Sequence, residues 1–147
     1  MKKRGKLLLL ILWMGLIFYM SAQPDVQSEY TSNIVAELIY DLFGFLFKDM
    51  DLPTFLSLYL QPIRKLAHFT EFAILGFLVY WNLDGYLKKQ LILYSFLITA
   101  LYACSDEFHQ LFVENRYCSF KDVLIDCSGG LAGILLYHLG KTRWKKD

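Results

Sequence analysis

The stretch KKRGKLLLLILWMGLIFYM, residues 2–20, places four basic side chains directly before a run of uncharged, mostly apolar residues from Leu7 to Met20. A helix needs about 20 residues to cross about 30 Å of hydrocarbon. Three further largely apolar runs follow, at residues 72–81, 91–104 and 123–137. Each run reaches the required length if a few polar neighbours enter the membrane. The sequence therefore predicts four transmembrane helices, at about 6–22, 62–83, 90–112 and 121–140.

The composition supports the same class of protein. Of the 147 residues, 56% are hydrophobic and only 20% are charged, which excludes a disordered or collagen-like chain. The length suits one domain, covering 1–147, and three Cys do not suggest a disulfide framework. A net charge of +1 gives no reason to expect a nucleic-acid partner. We expect an all-α integral membrane four-helix bundle with an amphipathic helix in its first extracytoplasmic segment.

The distribution of basic residues predicts the orientation. Four crossings place the N-terminus, the 83–90 loop and the C-terminus on one side, together with most of the 15 Lys and Arg residues. By the positive-inside rule this side is cytoplasmic, in a multi-pass protein of the plasma membrane. A cleaved signal peptide is the alternative reading of the first helix. Met20 stands where a cleavage site needs a small residue, which favours a retained helix.

The segment 33–60 is more than a loop. Its apolar residues recur at helical spacing between Ile34 and Leu46, and a polar stripe runs opposite them at Glu37, Asp41, Gly44 and Lys48. This pattern predicts an amphipathic helix that lies on the outer leaflet or covers the bundle, and both can hold. Pro62 is predicted in the first turn of the second transmembrane helix.

Ionisable residues inside the predicted spans are the informative feature, because each costs about 2.5–3.5 kcal/mol at mid-bilayer. At 1.5 Å per residue, Glu71 lies about 13 Å, Asp106 about 9 Å and Asp126 about 7 Å from the outer ends of their helices. Three helices thus bring charge to the same half of the membrane. The sequence predicts one polar cavity that opens outward, with Arg116 and Lys121 at its lip.

The residue types suggest roles within this cavity. Acid–base groups, the catalytic candidates, are His68, Glu71, Asp106, Glu107, His109 and Asp126. Candidates for holding a substrate phosphate or carboxylate, or for shaping that site, are Arg64, Lys65, Gln110, Arg116, Ser119 and Asp122. If a metal is present, its predicted ligands are His68, Glu71, Asp106 and His109.

Four interpretations stay open at this point. The cavity can belong to a membrane enzyme, to a binding or transport module without chemistry, or to a metal site. It can also be an internal salt-bridge network, in which Arg64 pairs with Asp122 or Asp126, and His68 pairs with Asp106. Cofactors and oligomeric state are not predicted. Gly129 and Gly133 have the small-residue spacing that favours close helix packing.

Three spaced motifs resemble those of the VanZ-like membrane proteins. They are RKLAHFTE at 64–71 followed by Gly76, DEFHQLF at 106–112, and the pattern RxxSxxDVxxDxxGxxxG at 116–133. The Ser21-Ala22-Gln23 turn resembles a further family feature. Family members commonly have Pro-Gly before the loop Arg, where this chain has Glu114-Asn115.

The resemblance implies a role in resistance to teicoplanin, a glycopeptide that carries an acyl chain. It does not supply a reaction. The expected partner is a membrane lipid or a lipid-linked or acylated molecule of the cell envelope, with the polar cavity as its site.

Overall fold

The computed structural model describes residues 3–47, 50–87 and 89–144. Within these ranges the chain forms five α-helices and one short 3-10 turn, at Gly44–Leu46, and no strand. The helices are α1 (Lys3–Ser21), α2 (Asp25–Phe43), α3 (Leu52–Leu83), α4 (Leu91–Gln110) and α5 (Phe120–Trp144). The predicted polar-stripe residue Lys48 and the basic residues Lys2, Lys88, Lys145 and Lys146 lie outside the described ranges.

Four of the helices, α1, α3, α4 and α5, are long and apolar enough to cross a membrane. They correspond to the four predicted spans, and the all-helical class is confirmed. Successive spans run antiparallel: Ser21 at the end of α1 contacts Asp106 near the end of α4, while Asp84 after α3 pairs with Lys141 of α5. We call the first of these ends the cavity end and the second the basic end.

The second span begins ten residues earlier than predicted. Asp51 caps α3 by accepting a hydrogen bond from the Thr54 amide at 3.1 Å, and Pro53 lies in the first turn. The prediction that Pro62 starts this helix is wrong, because Pro62 lies inside it. No capping residue precedes Pro62, whereas Asp51 and Pro53 form a complete start signal. At 32 residues, α3 is about 48 Å long and exceeds the hydrocarbon thickness.

Glycines bring α3 and α5 into backbone contact. A Cβ added at Gly129 or Gly133 would overlap the carbonyl oxygen of Phe69 or Ala73 on α3. A Cβ at Gly76 would meet the Gly130 carbonyl in the same way. The small-residue spacing therefore serves close helix packing, as the sequence predicted.

The helix α1 docks on this pair mainly through α3. The Trp13 indole donates to the Glu71 carbonyl at 3.0 Å, and the Tyr102 hydroxyl of α4 donates to the Met14 carbonyl at 2.6 Å. Apolar side chains fill the space between these helices, namely Ile17, Phe72, Leu75, Val79 and Ala103. The hydrophobic core thus lies along α3, between the residues of the cavity end and the basic end.

The predicted amphipathic segment 33–60 has different limits in the structure. Its helix, α2, begins at Asp25 and ends at Phe43, and residues 52–60 belong to α3. Ala36 is fully buried, and α2 packs against α3. On its outer side α2 exposes an apolar row at four-residue spacing, formed by Val26, Tyr30, Ile34, Leu38 and Leu42.

Candidate functional site

Two adjoining cavities occupy the cavity end, between α2 and α3 on one side and the 111–119 loop and α5 on the other. The first, of about 120 Å³, has mostly apolar walls and is called the apolar lobe. It is lined by α2, by the end of α1, by the middle of α3 and by Arg116 of the loop. The second, of about 140 Å³, is mostly polar and is called the polar lobe. Arg64, His68 and Arg116 line both lobes, so they form the wall that the lobes share.

Two arginines dominate this shared wall. Arg64 Nη2 lies 2.9 Å from Asp25 Oδ1 and 3.4 Å from the Ser28 hydroxyl, both on α2. Arg116 donates to Gln110 Oε1 at 3.3 Å, and its buried Nε has no hydrogen-bond partner among the described residues. Burial lowers the pKa of the Arg116 guanidinium, and the neighbouring Arg64 lowers it further. Arginine still stays protonated, so a positively charged, incompletely satisfied group faces the lobes.

Asp106 lies behind the shared wall and is held by neutral donors. Ser21 donates to its Oδ2 at 2.7 Å, and Gln110 Nε2 donates to the same oxygen at 3.3 Å. Gln110 also accepts from Arg116, which links the buried carboxylate to the cation in the cavity. The side chain of Asp106 is only 3% exposed. Its position suggests that it orients Gln110 and Arg116.

Glu107 and Asp126 form the floor of the polar lobe. Glu107 accepts a hydrogen bond from the Ser119 amide at 2.8 Å and so fixes the start of α5. Asp126 is completely buried, and neither of its oxygens receives a hydrogen bond from the described residues. His68 Nδ1 lies 3.8 Å from Asp126 Oδ1. Burying a carboxylate costs free energy unless the carboxylate is paired. The burial of Asp126 is therefore the feature of this site that packing explains least.

The structure brings most of the sequence-predicted residues to the lobes. The lining set includes Arg64, Lys65, His68, Glu71, Glu107, Gln110, Arg116, Asp122 and Asp126. Three others are absent from it. Asp106 lies behind Ser21, Ser119 contributes its amide to Glu107, and the His109 ring packs against Phe18 with centroids 4.3 Å apart.

The ion pairs differ from those that the sequence suggested. Arg64 pairs with Asp25 rather than with Asp122 or Asp126, and Asp122 instead lies 3.9 Å from Lys65 Nζ. His68 faces Asp126 rather than Asp106. The predictions failed because periodicity places residues on a face of their own helix and says nothing of which helix faces them.

The predicted metal ligands do not converge. Among the described residues, no three His, Cys, Asp or Glu side chains form a group that could hold a metal ion. His109 turns toward Phe18 while His68 faces Asp126. The geometry therefore gives no support to a metal centre built from His68, Glu71, Asp106 and His109.

Sequence reasoning missed the contribution of α2 and its neighbouring turns. Asp25, Ser28, Thr31 and Ser32 line the lobes, and Ser21 holds Asp106. The signal for Ser21 was its place in the Ser-Ala-Gln turn, but Asp25 carries none. Asn115 adopts a left-handed φ of 58°. Asparagine tolerates this conformation, so it can stand where VanZ-like proteins have Gly.

Four apolar helices define a multi-pass membrane protein, and a cluster of ionisable residues lies at one end of its bundle. A family model described as VanZ/LLP1 matches residues 6–141, and the chain belongs to this VanZ-like family, which is linked to glycopeptide resistance. A comparison with curated proteins found no match. A comparison with solved structures also found none.

Proposed function

We propose that this VanZ-like protein binds an anionic acylated molecule, a membrane lipid or a lipid-linked component of the cell envelope, and thereby lowers teicoplanin susceptibility. The observation that carries the proposal is the shared wall of the two lobes. Arg64 and Arg116 stand between an apolar and a polar cavity, where the charged group of an amphiphile would meet its acyl chain. Arginine suits this position because its planar fork binds phosphate or carboxylate through two hydrogen bonds.

The two lobes supply complementary surroundings for such a molecule. Val35, Ile63 and Ala67 give the apolar lobe walls that accept a hydrocarbon chain. Lys65 and Tyr117 give the polar lobe further hydrogen-bond donors around an anionic head. A soluble anion would use only the second lobe, so the pairing of lobes favours an acylated ligand.

The position of α2 supports access from the membrane. Its exposed apolar row is suited to acyl chains, and its other side lines the apolar lobe. With the basic end cytoplasmic, as the positive-inside rule indicates, α2 would lie at the outer leaflet. A lipid could then reach the apolar lobe beside α2 without leaving the membrane.

Acid–base chemistry on the bound molecule is a second candidate. One observation favours it: His68, in the shared wall, lies 3.8 Å from the buried Asp126 carboxylate. A carboxylate next to an imidazole orients the ring and stabilises its protonated form, which is the arrangement of a general base. This candidate adds a reaction to the same binding site.

The test is susceptibility to teicoplanin and vancomycin in a sensitive bacterial host, at matched membrane abundance of each variant. We expect the wild type to protect against teicoplanin, and Arg116→Gln to abolish protection because it removes a charge of the shared wall. Arg143→Gln removes the same charge at the basic end and should protect normally. His109→Ala should also retain protection, because His109 lies outside both lobes.

The outcomes separate the candidates. Loss of protection in His68→Gln, with lipid retention through purification unchanged, would favour chemistry over binding alone. Equal protection by Arg116→Gln and the wild type would contradict the assignment of the site. If the wild type gives no protection, the proposed role in teicoplanin resistance is wrong.

A further inference from the structure

We propose that a groove at the basic end, remote from the cavity described above, binds one anionic phospholipid. Its acyl chain would lie between α1, α3 and α4, and its phosphate would meet Lys3 and Arg4. This site does not depend on the function proposed for the cavity end.

The groove exists because α1 leans on α3 and touches α4 only lightly. The start of α1 is fixed against the end of α3, since Asn82 Nδ2 donates to the Lys6 carbonyl at 3.1 Å. The space left open is about 360 Å³. Its apolar walls come from all three helices and consist of Leu7, Leu10, Val79, Leu83 and Ile98.

The walls extend along the membrane normal as a lipid chain would. Leu10 and Ile98 each lie seven residues beyond the start of their helix, which places them about 10 Å from the basic end. Leu7 and Ile98 are 52% and 43% exposed, so the protein leaves this apolar surface uncovered. Phospholipid chains are the apolar partner that a membrane supplies at this position.

The mouth of the groove carries unpaired positive charge. Lys3 and Arg4 line it, and neither pairs with a carboxylate of the described residues. The nearby acid, Asp84, is already engaged by Lys141. Basic pockets between transmembrane helices bind anionic head groups, so the charge selects an anionic lipid over a zwitterionic one.

An aromatic ring holds Lys3 at the mouth, and a second such pair, Lys6 with Trp81, lies outside the lining of the groove. Lys3 Nζ lies 4.6 Å from the centre of the Tyr86 ring, and Lys6 Nζ lies 4.6 Å from the centre of the Trp81 ring. Rings of this kind are favoured at the membrane–water interface. The ring contact holds the Lys3 ammonium group against the protein, which distinguishes the groove from a freely solvated basic tail.

The experiment is lipid binding by the full chain in detergent, counted by native mass spectrometry during titration with phosphatidylglycerol or phosphatidylcholine. We expect one phosphatidylglycerol to bind more tightly than phosphatidylcholine. Neutralising Lys3 and Arg4 (Lys3→Gln with Arg4→Gln) should weaken phosphatidylglycerol binding by about fivefold per charge and leave phosphatidylcholine unchanged. The matched control is Lys89→Gln with Arg143→Gln, which removes the same charge at the same end outside the groove.

A second variant tests the shape of the site without altering charge. Ile98→Trp fills the groove from the exposed side of α4 and should reduce binding of both lipids. If the control pair weakens phosphatidylglycerol binding as much as the Lys3/Arg4 pair, the attraction is diffuse and the proposal fails. Unchanged binding by Ile98→Trp would equally overturn it.

Discussion

The two helices that flank the site, α5 and α2, pack against α3 in opposite ways. Along α5, Gly129 and Gly133 let the backbone of this helix touch that of α3, so the crossing tolerates no added atom at these two positions. Along α2, contact with α3 rests on Ala36, on aromatic pairs such as Tyr40 with Phe55, and on the Asp25–Arg64 ion pair. The outer face of α2 remains apolar and exposed.

This difference predicts that the two regions differ in rigidity. The close crossing of α5 with α3, which carries Asp126 of the floor and is included in that name from here on, should be rigid. The helix α2, called the cover, should separate from α3 more easily. Asp126 lies on α5, whose backbone contacts that of α3, so we expect backbone packing to hold its separation from His68. Asp25 is positioned by α2, and its partner Arg64 is one of the two proposed anion-binding residues. An anionic ligand would compete with Asp25 for Arg64, and displacement would loosen the cover without disturbing the floor.

The largest expected effect comes from breaking the floor. Gly133→Ala would drive a Cβ into the Ala73 carbonyl oxygen, and a backbone atom cannot move aside without separating the helices. Overpacking of this kind costs typically 1–3 kcal/mol, and we expect a loss of at least about 3 kcal/mol here. Thermal unfolding in detergent, followed by size-exclusion chromatography, measures the loss.

Gly140→Ala is the matched control for this variant. It lies on the same helix, and nothing lies within 4 Å of a Cβ added there. Because alanine favours a helix over glycine, this variant should be as stable as the wild type or up to about 1 kcal/mol more stable. Equal melting of the two variants would contradict the close crossing of α3 and α5.

The floor was the more predictable of the two regions. The lengths of the apolar runs predict the spans α1, α4 and α5. The spacing of Gly129 and Gly133, within one sequence motif, predicts close helix packing. The start of α3 was mispredicted because both Pro53 and Pro62 fit the first turn of a helix. The helix starts near Pro53 rather than near Pro62 because Asp51 caps it through a hydrogen bond. A hydropathy pattern does not show such a bond.

The cover and its ion pairs could not be predicted in the same way. Asp25 and Arg64 are 39 residues apart, and Ser21 and Asp106 are 85 apart. Such pairs depend on how helices rotate against one another, which the period of a single helix does not determine. The predicted charges do lie at one end of the bundle. The distance predicted for Glu71 was wrong, because α3 begins at Leu52 and Glu71 lies about 29 Å rather than about 13 Å from the start of its helix.

An intermediate effect is expected at Asp126, where the floor carries its least satisfied group. Burying a polar group without a hydrogen bond costs about 1–3 kcal/mol, and neither oxygen of Asp126 receives one from the described residues. We therefore expect Asp126→Leu to raise stability by about 1–3 kcal/mol in the same thermal assay and to abolish teicoplanin protection. Gain of stability with loss of protection would mark Asp126 as a functional rather than a structural residue.

Asp122→Leu provides the comparison, one turn earlier on α5. Asp122 is 37% exposed and lies 3.9 Å from Lys65, so its removal should change stability by less than about 1 kcal/mol. A marked loss of stability in Asp126→Leu would instead show that the carboxylate holds the floor together, and the assignment to function would be wrong.

The smallest expected effect on global stability comes from loosening the cover. Asp25→Asn weakens the pair with Arg64, whose side chains are 38% and 17% exposed, so solvent limits the cost to about 1 kcal/mol or less. Hydrogen exchange should nevertheless quicken across α2, since local opening needs less free energy than global unfolding. The amides of α5 between Gly129 and Gly133 should keep their protection.

Asp41→Asn controls for the change in charge, because Asp41 lies exposed on the same helix and forms no ion pair within the described residues. Exchange across α2 should stay at the wild-type rate in this variant. If Asp25→Asn quickens exchange in α5 as much as in α2, the two helices open together and the distinction between floor and cover fails. If neither variant changes α2, packing at Ala36 rather than the ion pair holds the cover, and an anionic ligand would then bind Arg64 without releasing α2.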